Sequence, residues 1–353
     1  MFEYVGSIHM HSTFSDGSGE VPDIAGFANE AGLDFIIITD HNTLRALEED
    51  YEKWYDNTLC LIGCEINDKE NKNHYLALGV DETYSTRMAA KNYVRKVKEA
   101  GGIGFIAHPH ENRDSMKEHP PYPWVEWDAD DFTGIEIWNH MSEWMENLTE
   151  KNKYQSFLHP LRSIVAPPDE TLKVWDELNL KRKVVGIGGS DAHAHKQNLF
   201  GFFEVEIFPY KVLFKAIRTH IMLKEELIRD NSDKNIENSK KALYNALENG
   251  DCFFANDYHA DSQGFRFFAE AEGKTIQMGD SIPLTDKILL KVTLPDRAAE
   301  IKFLRNGEIV KSVEAKTAEF NVKEKGAYRV EVYFYNKAWI YSNHIRIGLQ
   351  MRP

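Results

Sequence analysis

The stretch Val5-Gly6-Ser7-Ile8-His9-Met10-His11 decides how the chain is read. A short apolar run with strand character ends in two histidines one residue apart. Asp16 follows in Ser15-Asp16-Gly17. Working outward, Val21–Ala31 predicts a helix with Val21, Ile24, Ala25 and Ala28 on one face, Pro22 near its start and Gly32 at its stop. Further apolar runs follow at Phe35–Ile38, Leu59–Ile62, Tyr75–Val80, Ile103–Ala107, Ile135–Trp138 and Val184–Ile187. A helix around Met88–Ala100, closed by Gly101-Gly102, precedes the fourth of these. Short apolar runs alternating with helical patterns are the signature of βα units. Val205–Phe208 is the last run of this part, and Pro209 opens a predicted helix carrying Val212, Leu213, Ala216 and Ile217. Residues 221–240 are mostly charged and polar and read as a connector or a solvated helix face. Ala242, Leu243, Ala246 and Leu247 predict one more amphipathic helix, closed by Gly250.

The texture changes after residue 262. Phe265–Glu272, Ile288–Leu294, Glu300–Arg305, Ile309–Val313, Ala318–Val322, Tyr328–Tyr335 and Ala338–Ile347 are short alternating segments, with turn signals such as Asn306-Gly307 between them. They predict a small antiparallel sandwich, its core including Trp339. The expected organisation is therefore a βα domain over 1–260, with a helical extension, and an all-β domain over 261–353.

Composition narrows the function. The 353 residues are 42% hydrophobic and 28% charged, ordinary for a protein with a real core. A net charge of -14 repels nucleic-acid phosphates, so no nucleic-acid partner is expected. Cys60, Cys64 and Cys252 are too few for a disulfide framework and read as buried thiols. No stretch approaches the ~20 apolar residues that span a bilayer, and the N-terminus lacks a basic, apolar leader. The expectation is a cytoplasmic protein with no membrane partner.

The chemistry lies in where His, Asp and Glu fall. His9 and His11, Asp40-His41, Glu65, His108-Pro109-His110 and Asp191-Ala192-His193 each follow the end of an apolar run. In a βα barrel the C-terminal strand ends share one face, where active sites sit. Residues far apart in sequence should therefore converge as imidazole and carboxylate ligands of several dications. His74 starts its run; it reaches the same face if 59–65 and 74–80 form a hairpin across the polar Asn67–Asn73.

These residues resemble, in order, the four motif blocks of the PHP superfamily (polymerase and histidinol phosphatase), over roughly 3–220. Phe208-Pro209-Tyr210, Gly250-Asp251-Cys252-Phe253 and Trp339-Ile340-Tyr341-Ser342-Asn343 resemble a branch of PHP hydrolases with a C-terminal immunoglobulin-like domain. The resemblance implies a distorted (βα)7 barrel, followed here by an immunoglobulin-like sandwich. It implies two or three divalent ions (Mn, Fe or Zn): one on His9, His11, Glu65 and Asp191, one on Glu65, His74 and His108, and a third on Asp16, His41 and His193. It implies a phosphoesterase acting on a small phosphorylated molecule, with a metal-bridging hydroxide attacking phosphorus in line. No Gly-x-Ser-x-Gly elbow offers a serine nucleophile.

Other residues are candidates beside bland readings. Asp40 is a proton carrier or orients a histidine. His110 and His195 protonate a leaving group or are loop histidines. Arg113, and less so Lys196 and Arg45, could meet a phosphate. Asn139 and His140 end a strand and should face the site. The loop Glu111–Asp131, with Tyr122, Trp124 and Trp127, covers the pocket or packs on the surface. His119, His159, His220, His259 and His344 read as structural. Competing functions are a carboxyl ester or carbamate hydrolase on the same metals, a nuclease, which the net charge disfavours, and a binding module with structural metals.

Overall fold

The computed structural model describes residues 1–113, 120–199 and 203–350. Seven strands close into a ring: β1 (Phe2–Met10), β2 (Phe35–Ile38), β3 (Thr58–Ile66), β4 (Tyr75–Leu78), β5 (Ile103–Ile106), β6 (Gly134–Asn139) and β7 (Val185–Ala192). They coincide with the seven apolar runs from Val5–Ile8 to Val184–Ile187. β1 and β2 pair in parallel from Gly6↔Phe35 to Ile8↔Ile37, and β7 returns to β1 at Ile8↔Gly189 and Met10↔Ala192, which closes the barrel. β4 runs antiparallel to both β3 and β5, so the expected hairpin is present and strict βα alternation is broken there.

The ring strands are buried on both faces, and alternate residues go to different cores. Phe35 and Ile37 pack with Leu59, Leu61, Leu76, Phe105 and Ile187 inside the barrel. Ile36 and Ile38 pack outward with helix α1 (Val21–Glu30), through Val21, Ile24, Ala25 and Ala28, and with α2 (Ala90–Glu99), through Tyr93, Val94 and Val97. The helices that follow β6 include α3 (His140–Glu146) and α4 (Asp169–Lys181). Helix α5 (Asp233–Asn249) adds Leu243, Ala246 and Leu247 to the interior cluster and so plugs the barrel. Cys60, Cys64 and Cys252 are free and buried, as expected. Among the described residues no helix is long and apolar enough to cross a membrane.

Three expectations need correction. The helix opened by Pro209 is only Tyr210–Leu213; Ile217 begins strand β8 (Ile217–Leu223) instead. The first residues of the supposed polar connector complete that buried strand, and α5 starts at Asp233, well before Ala242. Arg218 and His220 hid the strand in sequence, yet both are neutralised in place: His220 lies between Glu3, at 2.9 Å, and Asp257, at 3.3 Å, and Arg218 is 3.4 Å from Asp257. The run Val205–Phe208 lies largely in Phe203–Ile207, which pairs with His195–Leu199 as a hairpin outside the ring.

β8 pairs antiparallel with β1 and with β9 (Cys252–Asn256), and β9 pairs in turn with Lys337–Ser342. The barrel sheet thus runs without interruption into the C-terminal strands. Those strands form two layers. One contains Arg266–Ala271, Ile288–Thr293 and Thr317–Val322; the other contains Ala299–Arg305, Gly326–Phe334 and Lys337–Ser342. Phe267, Leu290 and Val292 of the first meet Ile301, Phe303, Val330, Val332 and Trp339 of the second in one core. Asn343 ties this part to the barrel: its side chain accepts from Gly186 N–H at 2.7 Å and donates to Gly186 O and Cys252 O, each at 2.9 Å. A buried bidentate pair joins Arg329 to Asp176 on α4, with both bonds 2.8 Å.

Candidate metal centre

Glu65, the penultimate residue of β3, is 1% exposed, and its carboxylate is the hub of the site. Oε1 lies 2.6 Å from His74 Nδ1 and 3.3 Å from His108 Nε2. Oε2 lies 3.1 Å from His9 Nε2, 3.2 Å from His11 Nε2 and 3.4 Å from His41 Nδ1. Asp191 Oδ1 is 3.4 Å from both His9 Nε2 and His11 Nε2. Asp16 is 3.3 Å from His193 Nε2 and 3.8 Å from His41 Nε2. All nine residues expected as ligands are therefore gathered at one mouth of the barrel. Their donor atoms form four overlapping groups: His9, Glu65 and His108; His9, His11 and Asp191; His41, Glu65 and His74; and His11, Asp16, His41 and His193.

The backbone is bent to achieve this. His9, His108 and Asp191 have φ of 67°, 26° and 51°, a left-handed region that non-glycine residues adopt at a cost. At His9 the reason is visible. Ile8 belongs to the interior cluster and Met10 to the outward one, with a register shift between them. The slip lets the strand continue outward while its imidazole joins the cluster.

Electrostatics mark the same residues. Burial pulls His9 toward neutrality, but Glu136, Asp191 and Glu65 hold its pKa well above the usual histidine value. His11, opposed by burial but facing the Asp191 and Glu65 carboxylates, rises to about 10, and His108, against burial, rises to about 9 beside Glu111 and Glu65. His41 is different: burial outweighs Glu65 and lowers it to about 3. Burial favours the neutral forms of Glu65 and Asp191, yet the surrounding imidazoles hold both well below the carboxylate range. Both ring nitrogens of His11, with Nδ1 of His41 and of His108, are buried without a hydrogen bond of proper geometry. Unbonded buried imidazole nitrogens facing carboxylate oxygens fit a set of divalent-ion ligands.

The other candidates sit around this cluster. Asp40 points to the Ser12–Ser15 loop, accepting from Ser12 N–H at 2.7 Å and from the Ser12 and Ser15 hydroxyls at 2.6 Å each. It thereby fixes the turn that presents Asp16. His110 bonds Thr171 Oγ1 at 2.9 Å and stacks on Trp127. Arg113 pairs with Glu111 and lies over the Tyr122 ring, which itself stacks on His74 with centroids 5.2 Å apart. Trp124 is buried in the core, with Ala129 and the partly buried Trp127 packed beside it, so residues 124–129 of this loop lie against the barrel. His195 stacks on His193; Lys196 pairs with Glu204, and Arg45 with Glu49. His140 is buried near Asp191, and burial lowers its pKa to about 3. His220 and His344 have acidic partners in buried networks remote from the cluster, which the sequence did not reveal. His119 lies outside the described residues.

Sequence reasoning missed Glu136. It is buried on β6, 2.9 Å from His9 Nδ1. The available signal was a lone carboxylate within the apolar run Ile135–Trp138.

The fold and this cluster define a closed seven-stranded barrel whose mouth is able to bind metal. Residues 7–119 match the family model described as PHP domain, a span that holds seven of the nine residues expected as ligands, from His9 to His108. An uncharacterized protein of Methanocaldococcus jannaschii is 30% identical over 99 residues, 28% of this chain and 56% of that protein. The chain thus spans about half the length of the curated relative it matches. Among solved structures, a Bacteroides vulgatus two-domain protein containing a predicted PHP-like metal-dependent phosphoesterase is 16% identical, with a TM-score of 0.42, covering 97% of this chain and 95% of that one. An amidohydrolase from Chromobacterium violaceum is 14% identical, with a TM-score of 0.33, covering 55% of this chain and 91% of that one.

Proposed function

We propose that the chain is a metal-dependent phosphoesterase acting on a small phosphorylated molecule. The observation that carries this reading is the sharing of Glu65, His9, His11 and His41 among overlapping ligand groups, which suits two or three adjacent ions. His9, His11, Glu65 and Asp191 would hold one ion, Glu65, His74 and His108 a second, and Asp16, His41 and His193 a third. Such ions lower the pKa of water and polarise phosphoryl oxygens. The chain's own contribution is positioning. The side chains of Asp16 and His41 are 49% and 25% exposed while Glu65 and His9 are buried, so substrate approaches from the Asp16 side. Asp40 holds the Asp16 turn, and His110 and Arg113 line the loop beside His108 for contact with the leaving group. Free buried thiols suit a reducing cytoplasm. The reading includes a barrel unit over 1–260 and an immunoglobulin-like sandwich over 261–353.

The test is p-nitrophenol release by protein loaded with Mn, Zn or Fe, from p-nitrophenyl phosphate, bis-p-nitrophenyl phosphate and p-nitrophenyl acetate, with Asp191→Asn beside wild type. Cleavage of the phosphomonoester or the phosphodiester that chelation and Asp191→Asn both abolish is expected. Cleavage of the acetate alone would replace phosphoester by carboxyl ester chemistry, and no metal-dependent turnover of any of the three would end the reading.

A further inference from the structure

Glu136 belongs to none of the four ligand groups, yet it touches two of the expected ligands, His9 and His108, and reaches a third, Asp191, through Asn139. Its Oε1 accepts from His9 Nδ1–H at 2.9 Å. Its Oε2 accepts from the His108 backbone N–H at 3.0 Å and from Asn139 Nδ2 at 2.9 Å, and that amide nitrogen is also 3.4 Å from Asp191 Oδ2. The residue is 1% exposed. A buried carboxylate is costly unless its oxygens are satisfied. Here they are satisfied by donors alone, so an acceptor-only group is required; a glutamine would turn an NH2 toward one of those donors.

The barrel also makes room for it. A Cβ at Gly189 on β7 would overlap Glu136 Oε1 and come within 3.1 Å of His9 Cβ. The strand that carries Asp191 thus lacks a side chain where the Glu136–His9 contact passes.

We propose that Glu136 is a positioning residue of the metal centre. By accepting from Nδ1 it fixes the His9 tautomer, leaving Nε2 as the nitrogen that faces Glu65 and Asp191. Through the His108 N–H and Asn139 it holds two further ligands relative to that ring. It bonds to none of Asp16, His41 and His193, so its influence is confined to the ions that use His9, His108 and Asp191. This inference rests on the metal reading above.

The test uses the full chain, stripped with chelator and titrated with zinc. Bound ions are counted by elemental analysis, affinities come from chelator competition, and histidine tautomers are read by long-range proton–nitrogen NMR. Glu136→Gln is expected to weaken the ions held through His9 about 10- to 100-fold, to leave the ion at Asp16, His41 and His193 in place, and to remove the Nδ1–H signature of His9. Glu136→Asp, which keeps the acceptor, should recover part of the loss. Gly189→Ala, which keeps the charge but displaces Oε1, should reproduce it if Glu136→Gln does not fold. Wild-type affinities and an unchanged His9 tautomer in these variants would overturn the proposal. A wild-type chain that takes up no zinc would overturn the metal reading, and this proposal with it.

Discussion

Replacing Glu65 by glutamine removes a carboxylate from the point where two oxygens meet five imidazoles. Two of the four ligand groups contain Glu65, so two ions should depend on it. An ion present at 1,000 times its dissociation constant stabilises the folded state by about 4 kcal/mol, and two ions by about 8 kcal/mol. An unfolding entropy near 2.1 cal/mol/K per residue, over 353 residues, comes to about 0.7 kcal/mol/K. Saturating metal should then raise the wild-type melting temperature by about 11 °C through these ions. Calorimetry of chelated protein, with and without excess zinc or manganese, reads this rise within each protein, so any change in metal-free stability cancels. Glu65→Gln should lose most of the rise and retain only what the Asp16, His41 and His193 group supplies. A variant whose melting temperature climbs with metal as far as the wild type's would refute the central place given to Glu65.

Three further outcomes are expected. Asp176→Ala takes the bidentate partner from the buried Arg329 and leaves it only Glu331, at 2.6 Å, which should cost about 3 kcal/mol in chemical denaturation; adding Arg329→Met should return part of it. His220, raised to about 9 by Asp257 and Glu3 against the pull of burial, contributes stability that is complete below its unfolded pKa near 6.5 and lost as pH rises through about 9. Wild-type stability should fall by about 3 kcal/mol across that window, and His220→Gln should abolish the slope. Asp40→Ala frees the Ser12–Ser15 turn and should weaken binding of the ion at Asp16 about tenfold, by analogy with other residues that orient ligands; an unchanged metal titration would count against the role given to Asp40.

Much of the barrel was legible because its strands are buried on both faces and read as uninterrupted apolar runs. Leu59–Ile62 and Ile103–Ala107 show this plainly. The candidate ligands were legible for a related reason: a histidine or carboxylate directly after such a run has a predictable address at the barrel mouth. β8 escaped because Arg218 and His220 look like solvent-facing residues until Glu3 and Asp257, far away in sequence, are brought beside them. Glu136 escaped because it lies inside a strand, and because its purpose depends on the absent side chain of Gly189. Contacts of this kind are set by tertiary neighbours that local pattern does not encode.

The continuity of the barrel sheet with the C-terminal strands has a practical consequence. Cutting the chain after residue 260 would strip β9 of Lys337–Ser342, leaving an open row of backbone donors and acceptors along Cys252–Asn256, beside the newly bared apolar surface of Phe253 and Ala255. Such an edge invites pairing with other copies. A shortened chain should therefore precipitate rather than persist as an isolated barrel, and the missing strands, supplied as a separate polypeptide, should keep it dispersed.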